Sequence, residues 1–349
     1  MKYKIIVFGI LSSFLLTSID AIAQDSIFYS NIRGERFYSP DIAPKISIIK
    51  KVDSIWRKVD YYTYSRKIAE IGHYKDTGFK FNHGEFKSFH GNELLESSGY
   101  YENDKKHGFF ENYYPNGMMR DSSYYINGMP SGNCKAWYSD GSLEKLLQLD
   151  SLGNGAGVAI GFFPNGNISY KGRLANGMRK IGPWTYYHEN GNKASILYYP
   201  VLDESILEMT PELKYDSVEK TRYDSLTSYY KASCFDLNGI EQSACEIKNS
   251  KPIYIKGEKG WNNFLTKRLD GFGNLISSHT NTIVYIADFI VDTEGKLTSI
   301  LLSNKINIRL DNLVRQVFST STGWATAIHN NRKIPFMHRQ AIVLSPPIN

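Results

Sequence analysis

The sequence predicts a multidomain protein, with an all-β array of stacked β-hairpins followed by a small α+β domain of two layers. Three observations lead to this fold class. Glycine-containing turns recur about every 25 residues through the first part of the chain, and aromatic residues alternate between them. From Pro252 onward the apolar pattern becomes mixed α and β. A length of 349 residues leaves room for more than one domain.

The amino-acid composition and net charge exclude several classes of protein. The chain has 25 Tyr, 18 Phe and 28 Gly, and 42% of its residues are hydrophobic. The hydrophobic content excludes a disordered polypeptide, and the combination of many aromatic residues with many glycines is typical of β-structure with many turns. Three cysteines exclude a small disulfide-built scaffold and a four-cysteine zinc module. The formal net charge of +6 is modest and no dense run of Lys or Arg occurs, so we expect no nucleic-acid partner.

Residues 1–23 are predicted to be a secretory signal peptide. Two lysines precede an apolar run over 5–16, and the small residues Ala21 and Ala23 follow. A basic start, an apolar centre and a small-x-small site form a cleavable export signal, with Gln24 as the first mature residue. The apolar run is shorter than the ~20 residues of a spanning helix, so we expect no stable membrane insertion after cleavage. We place the protein in the periplasm or at the outer membrane of a Gram-negative bacterium, with secretion as an alternative.

A repeat with a period near 25 residues occupies 61–200, after a lead-in over 24–60. Asn-Gly or related turn dipeptides end at Gly117, Gly141, Gly166 and Gly191. A second glycine stands nine residues before each, at Gly108, Gly132, Gly157 and Gly182. Asn-Gly supplies the two positive-φ positions of a tight hairpin turn, and a second turn per unit occurs at Asn127-Gly128 and Asn176-Gly177. Stacked hairpins bury a continuous aromatic stripe, so we expect a quasi-linear sheet.

The best-preserved units, 108–117 and 182–191, share the pattern Gly-x-Trp/Phe-x-x-Tyr-x-x-Asn-Gly. This pattern resembles the bacterial variant of the MORN repeat. The resemblance implies an array of β-hairpins that contacts proteins or membrane surfaces and has no catalytic residues of its own.

A connector over 201–251 loses the repeat and is predicted to contain one more hairpin, with its turn at Asn238-Gly239. Cys234 and Cys245 flank this turn and are our candidate disulfide in an oxidising compartment. A two-residue turn would place Cys234 opposite Ser243, so the bridge requires a bulge or a longer loop. The alternative is two buried thiols. Cys134 is interpreted as a small core residue.

The region 252–349 is predicted to form the α+β domain. Its elements are a helix around 261–269, a strand over 282–291, a strand over 296–302, a helix over 310–318 and a strand near 340–344. This order predicts a small sheet with two helices packed on one face. The strand over 282–291 is apolar on both faces and is expected in the centre, with Asp288 near an edge or paired.

This region resembles the C-terminal domain of TonB, the energy transducer. The residues that carry the resemblance are Phe289–Leu297, Leu310-Asp311 and Gly323–Ile328. The resemblance implies partner binding by strand addition, in which an extended peptide pairs with the sheet edge. The usual peptide in that family is an N-terminal motif of an outer-membrane transporter. Thr326 stands where the family has Pro, and a Pro-rich spacer is missing from the sequence, so we expect a binding module rather than a direct transducer.

We therefore expect a non-enzymatic cell-envelope protein that binds a protein or an extended peptide. The expected surfaces are the repeats and the C-terminal sheet edge around 338–344. The alternatives are a TonB-type transport component acting with outer-membrane transporters, and an envelope enzyme with an unrecognised site. We assign no catalytic, cofactor-binding or metal-binding residues. Two Ser-x-x-Lys matches, at 47–50 and 228–231, lack supporting motifs. Four histidines are interpreted as surface turn residues, namely His73, His83, His90 and His107.

Overall fold

The computed structural model describes residues 26–30, 45–62, 66–201, 228–269, 283–302 and 308–344. The predicted signal peptide, with its cleavage site between Ala23 and Gln24, lies outside the described residues. Among the residues described, no helix combines the length and the apolarity that crossing a bilayer requires.

Fifteen antiparallel strands of the described residues form a single sheet, in which each strand pairs with the strands before and after it in that order. The early strands are β1 Ser26–Ser30, β2 Lys45–Val52, β3 Ile55–Tyr62, β4 Ile68–Tyr74, β5 Gly84–Phe89, β6 Leu95–Glu102, β7 Lys105–Tyr113 and β8 Met119–Ile126. The later ones are β9 Met129–Trp137, β10 Leu143–Leu149, β11 Gly157–Phe162, β12 Ile168–Ala175, β13 Arg179–Tyr187, β14 Lys193–Tyr199 and β15 Lys231–Cys234. The predicted hairpin array is confirmed, and its sheet extends beyond 61–200 in both directions.

The turns along one side of the array depart from the predicted geometry. The amide of Tyr114 donates to the carbonyl of Met118, and the amide of Gly117 donates to the carbonyl of Tyr114, both at 2.8 Å. Of the two residues that a tight Asn116-Gly117 turn would place at its centre, only Gly117 has a positive φ, of 83°. The carboxamide oxygen of Asn116 instead accepts the Met118 amide at 3.0 Å. This is a type I turn followed by a bulge, so the prediction of two positive-φ positions is wrong here.

The turns along the other side include the predicted geometry. Asn127 and Gly128 have φ values of 48° and 88°, as a type I′ turn requires. Asn103 and Asp104 form the equivalent turn one unit earlier, with φ values of 50° and 65°. Not every connection on this side is a two-residue turn: β12 and β13 are joined by a 3₁₀ turn over Asn176–Met178, in which Gly177 and Met178, rather than the predicted Asn176-Gly177 pair, have positive φ values of 68° and 61°.

Aromatic rings on one face of the sheet lie directly over glycines of a neighbouring strand. A Cβ built on Gly172 would lie 2.2 Å from the indole of Trp184, and one built on Gly161 would lie 2.1 Å from the ring of Tyr170. The two rings stack at a centroid distance of 6.0 Å. These glycines have ordinary strand φ values, so it is ring packing that requires them.

Replacing Gly172 by alanine should therefore destabilise the array. The added methyl group must push the Trp184 ring out of a packed site, and we expect a loss of about 1–3 kcal/mol in the free energy of unfolding. Urea denaturation measures it. Arg173→Ala, at the exposed neighbouring position, is the control and should change stability by less than about 0.5 kcal/mol. Equal stability of the two variants would show that the ring does not rest on Gly172.

The described residues of the C-terminal region form two helices and short sheets. The helices are α1 Gly257–Leu269 and α2 Ile308–Ser319. The strands are β16 Ile253–Tyr254, β17 Ile283–Val291, β18 Leu297–Leu302, β19 Trp324–Ala325, β20 Ala327–His329, β21 Arg332–Ile334 and β22 Phe336–Leu344. The main sheet has the order β18-β17-β22, which confirms the central position predicted for β17. The pairs β16–β19 and β20–β21 were not predicted.

One core joins both helices to one face of the three-stranded sheet. Trp261 of α1, Phe318 of α2 and Phe289 of β17 lie in it, and the Trp261 and Phe318 ring centroids are 5.4 Å apart. On β17, Asp288 is buried and accepts two bonds from the Arg339 guanidinium of β22, at 2.7 and 2.8 Å. The predicted pairing of Asp288 is therefore confirmed.

Candidate functional site

The hairpin β20–β21 connects the C-terminal region to the array. Its turn residues Asn330 and Asn331 have φ values of 52° and 67°, the geometry of a tight type I′ turn. The carbonyl of Asn330 accepts a bond of 2.9 Å from the hydroxyl of Ser195 on β14. Arg332 is only 3% exposed, and its Nε and Nη2 donate to the carbonyl and hydroxyl of Ser169 at 3.1 and 3.0 Å. Arg332 therefore inserts into one face of the array.

A disulfide lies beside this hairpin. Cys234, at the end of β15, is bridged to Cys245, with their Cα atoms 5.1 Å apart. The turn between them is a bulged turn over 236–240, not the two-residue turn at Asn238-Gly239. As a result the Cys234 carbonyl accepts the amide of Gln242 at 2.8 Å, one residue out of the register that would place Ser243 there.

The segment after the array is bound to the hairpin tip. The Asn331 side-chain amide contacts Cys234 Sγ at 3.0 Å, and its oxygen accepts the Lys248 amide. Ser250 and Ile328 exchange two backbone bonds of 2.7 and 2.9 Å. Backbone pairing and a cystine thus hold β20–β21 against the end of the sheet.

A cavity of about 450 Å³ opens where the hairpin meets the array. Its aromatic lining is Tyr138, Phe162, Tyr170, Trp184 and Tyr186. Its charged lining is Glu144, Lys145, Lys180 and Arg332. Ser169 and His329 add polar atoms. We call this space the junction cavity. Its combination of ring faces with a few charged groups is that of small-molecule sites.

Lys180 lies among aromatic rings at the cavity wall. Its Nζ donates to the Tyr186 hydroxyl at 2.9 Å and lies 4.5 Å from the Trp184 ring centre and 5.3 Å from that of Tyr199. Burial, and then the nearby charge of Arg332, lower the pKa of Lys180 to about 8. Lys180 is therefore still charged at neutral pH, but its charge lowers the stability of the folded state.

The other titratable groups of the cavity are shifted mainly by burial. Burial raises the pKa of Tyr170 to about 12 and raises those of Tyr138 and Tyr186 further, so the three hydroxyls stay protonated. Burial lowers the pKa of Arg332 to about 10, which leaves it a cation at neutral pH. Partial desolvation also raises the pKa of Glu144, although the residue is exposed. The cavity therefore carries more positive than negative charge at neutral pH.

Lys180→Met tests the cost of this half-buried charge. The pKa of Lys180 in the folded protein, about 8, lies below the ordinary value of 10.5. Between these two pH values the unfolded chain therefore binds more protons than the folded protein. Lys180 thus makes the free energy of unfolding rise with pH over this range. We expect Lys180→Met to be more stable than wild type at pH 7, and the difference to shrink from pH 8 to 10.5. Urea denaturation across this range measures it, with Lys135→Met as the control because Lys135 is exposed on β9. A difference that stays constant with pH would contradict this.

β22 forms one edge of the three-stranded sheet. It pairs with β17 through nine consecutive residues without a bulge. In the described part of the chain, no strand pairs with its outer side. The opposite edge, β18, is shorter, its register is interrupted, and Ser299 within it has a φ of 51°. Bulges, prolines and charged side chains blunt sheet edges against pairing. β22 has no bulge, proline or lysine, and its one arginine, Arg339, is paired with Asp288 of β17.

The histidines are distributed along the array. His90 is only 4% exposed, and its Nε2 lies 2.9 Å from the carbonyl of Tyr113 in the next unit. The interpretation of His90 as a surface residue is therefore wrong. Within the described ranges, no three His, Cys, Asp or Glu side chains are placed to hold a metal ion. Cys134 is a buried free thiol.

Sequence reasoning missed Lys180, His329 and Arg332. The sole local signal was the Asn330-Asn331 dipeptide, which is compatible with a tight turn. Nothing in the sequence indicates that Arg332 contacts Ser169, which lies 163 residues earlier.

The fold defines a protein built on an antiparallel array of β-hairpin repeats. A family model described as a MORN repeat variant matches residues 180–199, the stretch containing most of β13 and all of β14. The match and the long strand array fit MORN repeats. None of the curated proteins compared with the chain matches it.

Proposed function

We propose that this chain is a non-enzymatic protein of the bacterial cell envelope that binds an extended segment of a partner protein by strand addition at β22. The observation that carries the proposal is the outer edge of this strand, with which no strand of the described residues pairs. Main-chain bonds to such an edge supply affinity, and pockets for alternate side chains supply specificity. Met337, which is 40% exposed, offers an apolar contact to the incoming strand.

The array offers a second contact surface. Phe109 on β7 is 67% exposed, and its ring meets that of Tyr124 at a centroid distance of 5.0 Å. Tyr100 on β6 is also exposed. Exposed aromatic side chains are enriched where proteins bind one another, so this patch supports a role of the repeats in partner contacts.

Site-specific photocrosslinking followed by peptide binding tests strand addition. A photoreactive phenylalanine analogue is placed at Met337 in the full chain and, as a control, at Val158 on the central strand β11. Mass spectrometry identifies the segment that envelope proteins contribute to the Met337 adduct, and that segment is synthesised. We expect this peptide to protect β22 amides from hydrogen exchange.

Methylation of the peptide backbone distinguishes binding by strand addition from binding through side chains alone. N-methylation of alternate residues on the pairing edge should abolish binding, whereas methylation of the intervening residues should leave it intact. Ala341→Lys, which adds a charge to the edge, should weaken binding. Equal binding of both methylated peptides, or the same adducts at Met337 and Val158, would refute strand addition.

A transport role with outer-membrane transporters is the second candidate. The order of α1, β17, β18, α2 and β22 favours it, because this is the order on which the resemblance to the TonB C-terminal domain rests. Synthetic N-terminal peptides of such transporters, titrated against the full chain, test it. Absence of binding at millimolar peptide would leave the general peptide-binding role without transport.

A further inference from the structure

The junction cavity carries an excess of positive charge that the protein itself does not neutralise. Lys145, Lys180 and Arg332 line it together with a single carboxylate, that of Glu144. In the portion of the chain described, none of the three cations forms a salt bridge. Arg332 is buried, and Lys145 and Lys180 are half-buried. Charges withdrawn from water are normally paired, so this arrangement is suited to a negatively charged ligand.

The cavity also has more hydrogen-bond donors than the acceptors of the protein satisfy. An ammonium group has three N–H donors, and the structure gives Lys180 one acceptor, the hydroxyl of Tyr186 at 2.9 Å. The position of the Arg332 guanidinium is fixed by two hydrogen bonds. Its Nη2 donates to the Ser169 hydroxyl, and its Nη1 donates to the His329 carbonyl at 2.7 Å. Lys180 is therefore the group best placed to donate to a ligand, and Arg332 adds a fixed positive charge.

The walls of the cavity determine the shape of the ligand. Tyr170 is more accessible than the buried rings of Tyr138 and Trp184, which line the wall beside it. The volume of about 450 Å³ lies in the range of small-molecule sites. Aromatic walls bind planar or ring-shaped groups, whereas the ammonium group requires an anion.

We propose that the junction cavity binds a small ring-bearing carboxylate, whose carboxylate group accepts from Lys180 near Arg332 and whose ring lies against the aromatic wall. An aromatic acid and an acidic sugar share this chemistry. The site lies between the array and β20–β21, so it is independent of the edge of β22 and of the function proposed for that edge.

Calorimetric titration of the full chain tests the proposal and separates the two sources. The probes are benzoate and galacturonate, each with a neutral partner of the same ring, benzamide and galactose. We expect at least one carboxylate to saturate a single site and its neutral partner to bind at least tenfold more weakly, about the value of one charge-assisted hydrogen bond. Quenching of tryptophan fluorescence gives a second readout, because Trp184 lies in the wall.

Two variants locate the binding. Lys180→Met should weaken the carboxylate about ten- to a hundredfold, and Lys135→Met, which removes an exposed lysine of the same sheet, should leave affinity unchanged. Circular dichroism verifies folding, and Lys180→Gln replaces Lys180→Met if that variant does not fold. The proposal is overturned if neither carboxylate saturates below roughly 10 mM. It is also overturned if a neutral partner binds equally well or if the two lysine variants behave alike.

Discussion

Trp184→Ala should lower the free energy of unfolding by about 3–5 kcal/mol, the range for removing a large buried aromatic side chain. The indole is 3% exposed, lies over Gly172 and stacks on Tyr170. Its Nε1 donates to the carbonyl of Arg173 at 3.0 Å, so the substitution also leaves this acceptor without its partner. Because a glycine lies beneath the ring, neighbouring side chains have little means of filling the space that is lost.

Urea denaturation followed by circular dichroism measures this effect. Phe109→Ala is the matched control, because Phe109 is an aromatic strand residue of the same array with a 67% exposed side chain. Its contact with Tyr124 is a surface contact, and we expect a loss below about 1 kcal/mol. Similar losses in the two variants would mean that the face carrying Trp184 is not the buried face of the array.

The local elements of this fold could be predicted because each one reflects a pattern in adjacent residues. The turn at Asn127-Gly128 follows from the backbone freedom of its two residues, and helix α2 follows from apolar residues at helical spacing. The bulged turn at Gly117 was mistaken for a tight turn because Asn-Gly is compatible with both. In the observed bulged turn, Asn116 does not have a positive φ, and its side-chain oxygen accepts a hydrogen bond from the Met118 amide.

The junction could not be predicted because its contacts join distant parts of the chain. Ser195 and Asn330 are 135 residues apart, and their bond depends on how the sheet and the hairpin are oriented. Arg332 is an ordinary polar residue in the sequence and becomes a buried cation only when Tyr170 and Tyr186 surround it. The same holds for Lys180, whose shifted pKa results from burial and from a charge 152 residues later.

Arg332→Ala should release the hairpin β20–β21 from the array. The substitution removes the two bonds to Ser169 and leaves both of its acceptors buried without the donor. Hydrogen bonds from charged groups contribute about 1.5–3 kcal/mol each, so we expect docking to weaken by about 3 kcal/mol once new solvent contacts are allowed for. Arg332→Met should weaken docking less than Arg332→Ala, because it retains an aliphatic side chain that packs between Tyr170 and Tyr186.

Hydrogen exchange distinguishes release of the hairpin from global unfolding. In Arg332→Ala, amides of 327–334 should exchange faster, whereas amides of β17 should keep their protection because the core that they share with α1 and α2 is not touched. Lys333→Ala, at the exposed neighbouring position, is the control and should leave the hairpin protected. Unchanged protection of 327–334 in Arg332→Ala would show that the backbone pairing of Ser250 with Ile328 suffices to hold the hairpin. Loss of protection in β17 would show instead that docking and folding of the C-terminal region are a single cooperative event.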